Sequence, residues 1–388
     1  MSKKFVTIFP DCENVHLTKD LGQIPYFMHK IYGFDSKIVC YKNSESYHNL
    51  EGEVKGLNIE FIKNTGRFSF LEKGVLQYIF KEAKKIDILN LYIFSKYSFV
   101  YGILYKLRNP SGTLFLKLDG YNETFEEGAP VVHSTKRLKN FILKQLERIF
   151  LKKVDLVSIE NSKGELLVKN KYPVIADKVI YLPVGVNDLF ISSVFNRKLR
   201  SYSEKENIIF TAGRVGEKIK NHEMLIRALA RIDMKDWKMV FAGPVNPEFA
   251  KWYDAFLIDH PQLKSKVVFT GNISDRVELY EWYNRSKIFC MTSIKESFCH
   301  SIAEALYFGN YIIGTEGIMS MQDITDNGKY GQTLKEDDDE TLSKTLNELI
   351  TNQTQLANLY PAIISYSRKR FVWSEIIKQL PAVGLKNK

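Results

Sequence analysis

Cysteine is scarce in this chain: four in 388 residues, Cys12, Cys40, Cys290 and Cys299, with no CxxC pair and no metal-ligand spacing. That excludes a disulfide framework and a zinc module, and points to reduced, mostly buried thiols of a cytosolic protein. Long hydrophobic runs are missing too: no apolar stretch approaches the roughly 18 residues that span a bilayer. The N-terminal "MSKKFVTIFPDCENV" meets Asp11 and Glu13 after a short apolar run, too early for a signal peptide. It reads instead as a first buried strand. There is no low-complexity tract or disordered tail. The acidic run "EDDDE" at 336–340 is a poor substitute for the Asp-x-Asp that holds a metal-bound nucleotide, and reads as the charged start of a helix.

What is present describes an ordinary globular chain, 45% hydrophobic and 26% charged. Its length exceeds one comfortable core, so two domains are expected. A net charge of +10 admits three partner classes: nucleic acid, an anionic membrane, or phosphorylated substrates. Short apolar or β-branched runs alternate with helical segments. Strands are expected over 5–9, 37–41, 57–62, 88–94, 113–118, 156–159 and 179–182, then over 208–212, 238–242, 267–270, 288–292 and 311–314. Many are near-continuously apolar, as strands covered on both faces are. The alternation predicts α/β architecture with parallel sheets in each half. Pro183 and Gly185 in "YLPVGVNDLF" punctuate a boundary, which predicts domains over 1–185 and 186–365, followed by a C-terminal amphipathic helix within 366–388.

Open parallel sheets bind ligands beyond the carboxyl ends of their strands. After the strand over 208–212 comes "GRVGEKIKNHEMLIRALARI". Gly213 and Gly216 make a flexible turn, Arg214 and Lys220 share the loop, and Asn221 can cap a helix bearing Leu225, Ile226, Leu229 and Ala230. A planar guanidinium fork and a mobile ammonium together suit a nucleotide diphosphate, although a basic surface loop is the simpler reading. After the strand over 288–292 comes "KESFCHSIAEALYFGN". Backbone N–H groups across Cys299, His300, Ser301 and Ile302 can face a phosphate at a helix start. Glu296 lies in the loop, while Glu304 lies in the helix and can accept hydrogen bonds from a ribose diol. The simpler reading is an acid before a helix and a solvated acid within it.

These stretches, with "VFAGP" and "VVFTGNIS", resemble the family 4 retaining glycosyltransferases over about 207–331, including the E-x7-E pair Glu296 and Glu304. In the first half, "PVGVND" looks like the family's proline–asparagine–glycine turn with Val184 in place of asparagine. The resemblance implies the GT-B fold, with two facing Rossmann-like domains and a closing helix that crosses back to the first. It implies that Arg214 and Lys220, beside Gly213, bind the donor diphosphate and stabilise its departure. Glu296 would face the transferred sugar, Glu304 the ribose, and the backbone around Asn272 and Ile273 the base. The donor would be a UDP-sugar, and no metal or other cofactor would be required, since these cations meet the developing charge. Bacterial-type surface polysaccharide biosynthesis is the implied setting. The family has glycine where Cys299 stands, and a Cβ there narrows the approach to a phosphate.

On the acceptor side, the long loop after the first strand offers His16, Lys19, Asp20 and Gly22, although it can equally just feed a helix. Lys117 and Asp119 close the strand over 113–118, Asp119 with a possible general-base role. The acceptor would be a glycan or lipid-linked saccharide. The basic amphipathic stretch within 134–155 carries Leu138, Ile142, Leu146, Ile149 and Phe150 among Lys136, Arg137, Lys139, Lys144, Arg148, Lys152 and Lys153. It suits peripheral contact of residues 136–153 with anionic lipid at the inner face of the cell membrane, or equally a packed helix with a solvated face. RNA-binding motifs are not evident, so nucleic acid is not an expected partner. Two alternatives stay open: a catalytically inert GT-B partner that binds glycan, and a GT-B sugar-nucleotide epimerase. A phosphorylase would need a pyridoxal lysine that the sequence does not identify.

Overall fold

The computed structural model describes residues 2–119, 137–195 and 198–380. The chain forms two compact units, Met1–Phe190 with the segment from Trp373 onward, and Ile191–Val372. These divisions fall a few residues beyond the expected 185/186 and 365/366.

The first unit holds β1 (Lys4–Ile8), β2 (Asp35–Cys40), β3 (Asn58–Phe61), a short antiparallel hairpin of β4 (Arg67–Phe68) and β5 (Leu71–Glu72), then β6 (Ile88–Tyr92), β7 (Thr113–Leu118), β8 (Leu156–Ile159) and β9 (Val179–Tyr181). Seven of these make one parallel sheet in the order β3-β2-β1-β6-β7-β8-β9. The chain builds outward from β1 to β3, then returns to the other side of β1 for β6. The direction of winding therefore reverses between β1 and β6. Val6, Ile38, Leu89, Leu116 and Val157 are wholly buried, as strands covered on both faces must be.

The second unit repeats the plan with β10 (Ile208–Ala212), β11 (Lys238–Ala242), β12 (Val267–Gly271), β13 (Ile288–Met291), β14 (Tyr311–Thr315) and β15 (Gly331–Leu334). Its order is β12-β11-β10-β13-β14-β15, so the reversal lies between β10 and β13. Both units are Rossmann-like α/β layers. The edge strand β15 and the β4–β5 hairpin were not expected. Gly331-Gln332-Thr333-Leu334 is half polar and carries no apolar run, which is how a short edge strand escapes a hydrophobicity pattern.

The basic stretch forms a helix, Arg137–Lys153. It packs through Leu143, Phe150 and Leu151 and leaves Phe141, Ile142 and Ile149 exposed. Among the described residues no helix is long and apolar enough to cross a membrane. The single amphipathic helix expected over 366–380 is corrected to two pieces, the end of Thr354–Arg370 in the second unit and Trp373–Ile376 in the first. Two nearby aromatics explain the break. Phe371 packs against Phe298 and Tyr366 in one core, whereas Trp373, wholly buried, packs against Phe27 in the other. Trp373 N–H donates to Val186 O at 3.0 Å, and Ser374 Oγ donates to Asp188 at 2.6 Å. Trp373→Ala should therefore cost the first unit roughly 3–5 kcal/mol, as large-to-small core changes do. Urea unfolding checks this, and a loss below about 1 kcal/mol would mean that the segment is only draped on that unit.

Candidate functional site

The turns that follow β10 and β13 lie side by side, because these strands pair in parallel register, Ile209 with Ile288 and Phe210 with Phe289. The first turn is laid along its neighbour after β11: Gly213 N–H donates to Ala242 O and Val215 N–H to Pro244 O, both at 2.9 Å. Gly216 has φ +80°, and a Cβ there would stand 2.2 Å from Phe249 Cβ, so only glycine fits. Its N–H donates to Nδ1 of His222 at 2.9 Å. Burial, then the Lys220 charge, pull the His222 pKa down to about 3, which keeps the ring a neutral acceptor. The next residues are fastened to the end of β13. Thr292 Oγ1 donates to Lys220 O at 3.0 Å and to Asn221 O at 2.8 Å, and Ile294 N–H donates to Ile219 O at 2.9 Å. Asn221 stands at the N-cap of His222–Ala230 in a left-handed conformation, and its side chain reaches Asp337 rather than the helix's own N–H groups.

This scaffold aims Lys220 at Glu296, and the two side chains form an ion pair with 13% and 22% of their surface exposed. Glu296 is fixed through its main chain, N–H to Gly317 O and O to Met319 N–H, each at 3.0 Å. Arg214 remains 68% exposed, its Nε 2.9 Å from Glu217 Oε1. Cys299 is the N-cap of the helix His300–Tyr307 and has φ +67°, the left-handed region where glycine is the natural occupant. Burial, then the nearby Glu296, push its thiol up to about 11, so at neutral pH it is not a thiolate. His300, Ser301 and Ile302 form the first turn of that helix. Asn272, exposed, and Ile273, half-buried, follow the edge strand β12.

Glu304 is buried in the same helix and is ion-paired to Arg276, the first residue of Arg276–Arg285. Burial acts to raise its pKa, but Arg276, His300 and Tyr283 outweigh it and hold the carboxyl below the ordinary glutamate value of 4.5. Arg276 also lies 4.8 Å over the Tyr280 ring and donates to its hydroxyl at 2.9 Å. Sequence reasoning missed Arg276. It carries the strand-end signal that singled out Arg214, but nothing local pairs it with a carboxylate 28 residues on.

In the first unit, Lys117 at the end of β7 is 1% exposed, 3.3 Å from carboxylate oxygens of both Asp20 and Glu160. Burial opposes its charge, and Glu160, Asp20 and Asp119 outweigh that, so it stays an ammonium. Two expected residues, Lys117 and Asp20, thus meet, while Glu160, missed in the sequence, directly follows β8. His16 Nδ1 accepts the Glu13 N–H at 2.9 Å, and burial, then Lys19, lower its pKa. Lys19 is exposed, and Asp119 is exposed beyond β7. Gly22 is buried with Leu17 O only 2.1 Å from where a Cβ would stand, so packing alone demands glycine. Among the described residues no group of three or more His, Cys, Asp and Glu gathers as a metal would need.

Residues 195–370 match the family described as glycosyl transferases group 1. Several solved structures share the fold along the whole chain. A glycosyltransferase from Rickettsia africae ESF-5 is 16% identical with a TM-score of 0.73, covering 100% of both chains. Anabaena Alr3699/HepE in complex with UDP is 14% identical with a TM-score of 0.72, over 98% of this chain and 99% of that one. The apo form of the lipopolysaccharide outer core galactosyltransferase WaaB is 13% identical with a TM-score of 0.69, covering 100% of both. No curated protein sequence matches the chain. The fold is thus the GT-B fold of two Rossmann-like domains, and the similarity to the group 1 family lies within the second unit.

The Arg276–Glu304 pair has a pH signature. With its pKa depressed, Glu304 contributes stability that is full above 4.5 and is lost as pH falls through its folded-state value. Arg276→Ala should lower the melting temperature most near neutral pH, where a buried carboxylate is left charged, and the gap to wild type should narrow on acidification. A gap that stays constant with pH would show that the contact is not ionic.

Proposed function

We propose that the protein is a metal-independent retaining glycosyltransferase that moves a sugar from a UDP-sugar to a glycan or lipid-linked saccharide. The observation that carries this reading is the Lys220–Glu296 pair, set where the winding of the second sheet reverses and beside the start of His300–Tyr307. A bound diphosphate is a denser anion than one carboxylate. It draws Lys220, with the exposed Arg214, onto its oxygens and lies against the N–H groups of the helix start. Glu296 is then released toward the transferred sugar. As the bond from the anomeric carbon to the diphosphate breaks, positive charge grows on the sugar ring and negative charge on the leaving oxygen. The cations stand where that charge develops, the arrangement in which electrostatic catalysis is strongest. The acceptor hydroxyl takes the anomeric carbon and gives its proton to a base, for which Asp119 is the candidate.

Glu304 meets the ribose, sharing its oxygens with Arg276, and the backbone around Asn272 and Ile273 meets the base. The solved complex of HepE with UDP supports the choice of uridine. Retention of configuration, and surface-glycan synthesis at the inner face of the cell membrane, rest on the resemblance to family 4. Exposed Phe141, Ile142 and Ile149 on the helix that carries Lys144 and Arg148 support peripheral contact with anionic lipid.

Melting curves with UDP, GDP and ADP test the donor site. Ligand at a hundred times its dissociation constant stabilises by roughly 2.7 kcal/mol. The expected result is a UDP-selective shift that survives EDTA and disappears in Lys220→Ala. An unchanged melting temperature with all three nucleotides would favour the inert-partner reading, for which Cys299 at the helix start is the supporting feature.

A further inference from the structure

A cavity of about 450 Å³ lies in the second unit, beside the amino ends of β14 and the edge strand β15. That volume is within the roughly 300–1,000 Å³ of small-molecule sites. The candidate donor loops follow the carboxyl ends of β10 and β13, so this cavity is separate from them. Every described residue that lines it is uncharged. We propose that it is a subsite for a neutral saccharide, one unit of a glycan held away from the donor. The identification of the ligand as a saccharide rests on the glycosyltransferase reading; its neutrality rests on the cavity itself.

Its wall is made largely of side-chain amides: Gln322 on the helix Met321–Thr325, Asn327 in the turn after it, and Gln332 on β15. Among the described residues these three amides make no hydrogen bond to protein, so each keeps a carbonyl acceptor and an NH2 donor for a ligand. Donor and acceptor side by side match sugar hydroxyls, which both give and take hydrogen bonds. Thr333, exposed on β15, adds a hydroxyl. A phosphate or carboxylate would find no cation among the lining residues. Tyr311 carries the same message: burial alone raises its pKa, with no charged neighbour acting on it. Asp323, Asp326 and Lys329 belong to the same stretch of chain but do not line the cavity. Lys329 instead lies 5.0 Å over the Tyr330 ring.

The frame that carries the amides is fixed. Asn327 N–H donates to Gln322 O and Tyr330 N–H to Thr325 O, both at 2.8 Å. Thr325 Oγ1 donates to Met321 O at 2.6 Å and accepts the Gly328 N–H at 3.0 Å. Asp326, Asn327 and Gly328 are all left-handed, with φ of +51°, +56° and +92°, and this turn leads the chain back into β15. At Gly331 a Cβ would stand 2.4 Å from Ile312 O and 2.8 Å from Thr325 Cγ2, so only glycine fits where β15 passes the helix. Amides in contact with water exchange it for sugar hydroxyls at little net gain, so binding should be weak, about millimolar.

Saturation-transfer difference NMR on the full chain tests the proposal, with the methyl glycosides of glucose, galactose, mannose and N-acetylglucosamine as probes, each with and without saturating UDP. At least one glycoside should give a transfer signal that UDP leaves in place. Gln322→Ala and Gln332→Ala should each weaken its binding about fivefold, the size of one lost hydrogen bond. Gln322 is exposed, so that variant carries the test if Gln332→Ala does not fold. The UDP melting shift, measured on the same samples, should be unchanged in both variants. A normal UDP shift with no glycoside signal, with a signal that UDP removes, or with one indifferent to both substitutions, overturns the subsite and leaves the donor reading intact. A glycoside signal that obeys the substitutions without any UDP shift keeps the subsite and overturns the donor reading.

Discussion

The ion pair between Lys220 and Glu296 joins the two turns that flank the reversal point of the second sheet, and the other candidate donor groups are arranged around it. Half-buried pairs of this kind add little net stability, because desolvation offsets much of the attraction. The value of the contact is positional. Lys220 is oriented by the Glu296 carboxylate. The main-chain bonds from Thr292 and Ile294 keep the lysine's turn in register with the end of β13 whether or not the pair is closed. Neutral His222 does the same for Gly216 from below. Electrostatic preorganisation needs this kind of rigid support, since groups that must be reorganised during a reaction contribute less to it.

The first unit has the same kind of reversal point. There the reversal point lies between β1 and β6, and a cavity beside it is walled by Phe9, Tyr92, Tyr97 and Tyr101. At the end of β7, Lys117 is neutralised by Asp20 and Glu160. Each unit places its polar residues at the one edge of a parallel sheet where loops from adjacent strands diverge and leave room.

Much of this was legible before any coordinates. The strands at 113–118, 156–159, 208–212 and 238–242 were readable to the residue, since buried parallel strands are apolar throughout and Gly, Pro and charge end them abruptly. The loops with Arg214, Lys220 and Glu296 were legible for the same reason: they begin where such strands stop. Side-chain pairing across long sequence separations was not. Arg276 on Glu304 and Glu160 on Lys117 depend on which strands become neighbours, which no local pattern states. The cavity walled by Phe9, Tyr92, Tyr97 and Tyr101 was hidden because aromatics scattered over nearly a hundred positions read as core. The break at Phe371–Trp373 was hidden because an amphipathic pattern continues across it. At Cys299 the sequence shows a departure from the family's glycine, and the positive φ explains what that glycine is for.

The central claim is that the groups around Lys220 act on the bond between a sugar and a nucleoside diphosphate. The most direct measurement is UDP release from a panel of UDP-sugars in the presence of EDTA, comparing wild type with Arg214→Ala. The account predicts slow release from at least one donor, reduced about 10²-fold or more in the variant, the usual effect of deleting one preorganised group at a developing charge. Release that is equal in the two proteins, or that requires a divalent cation, would contradict it.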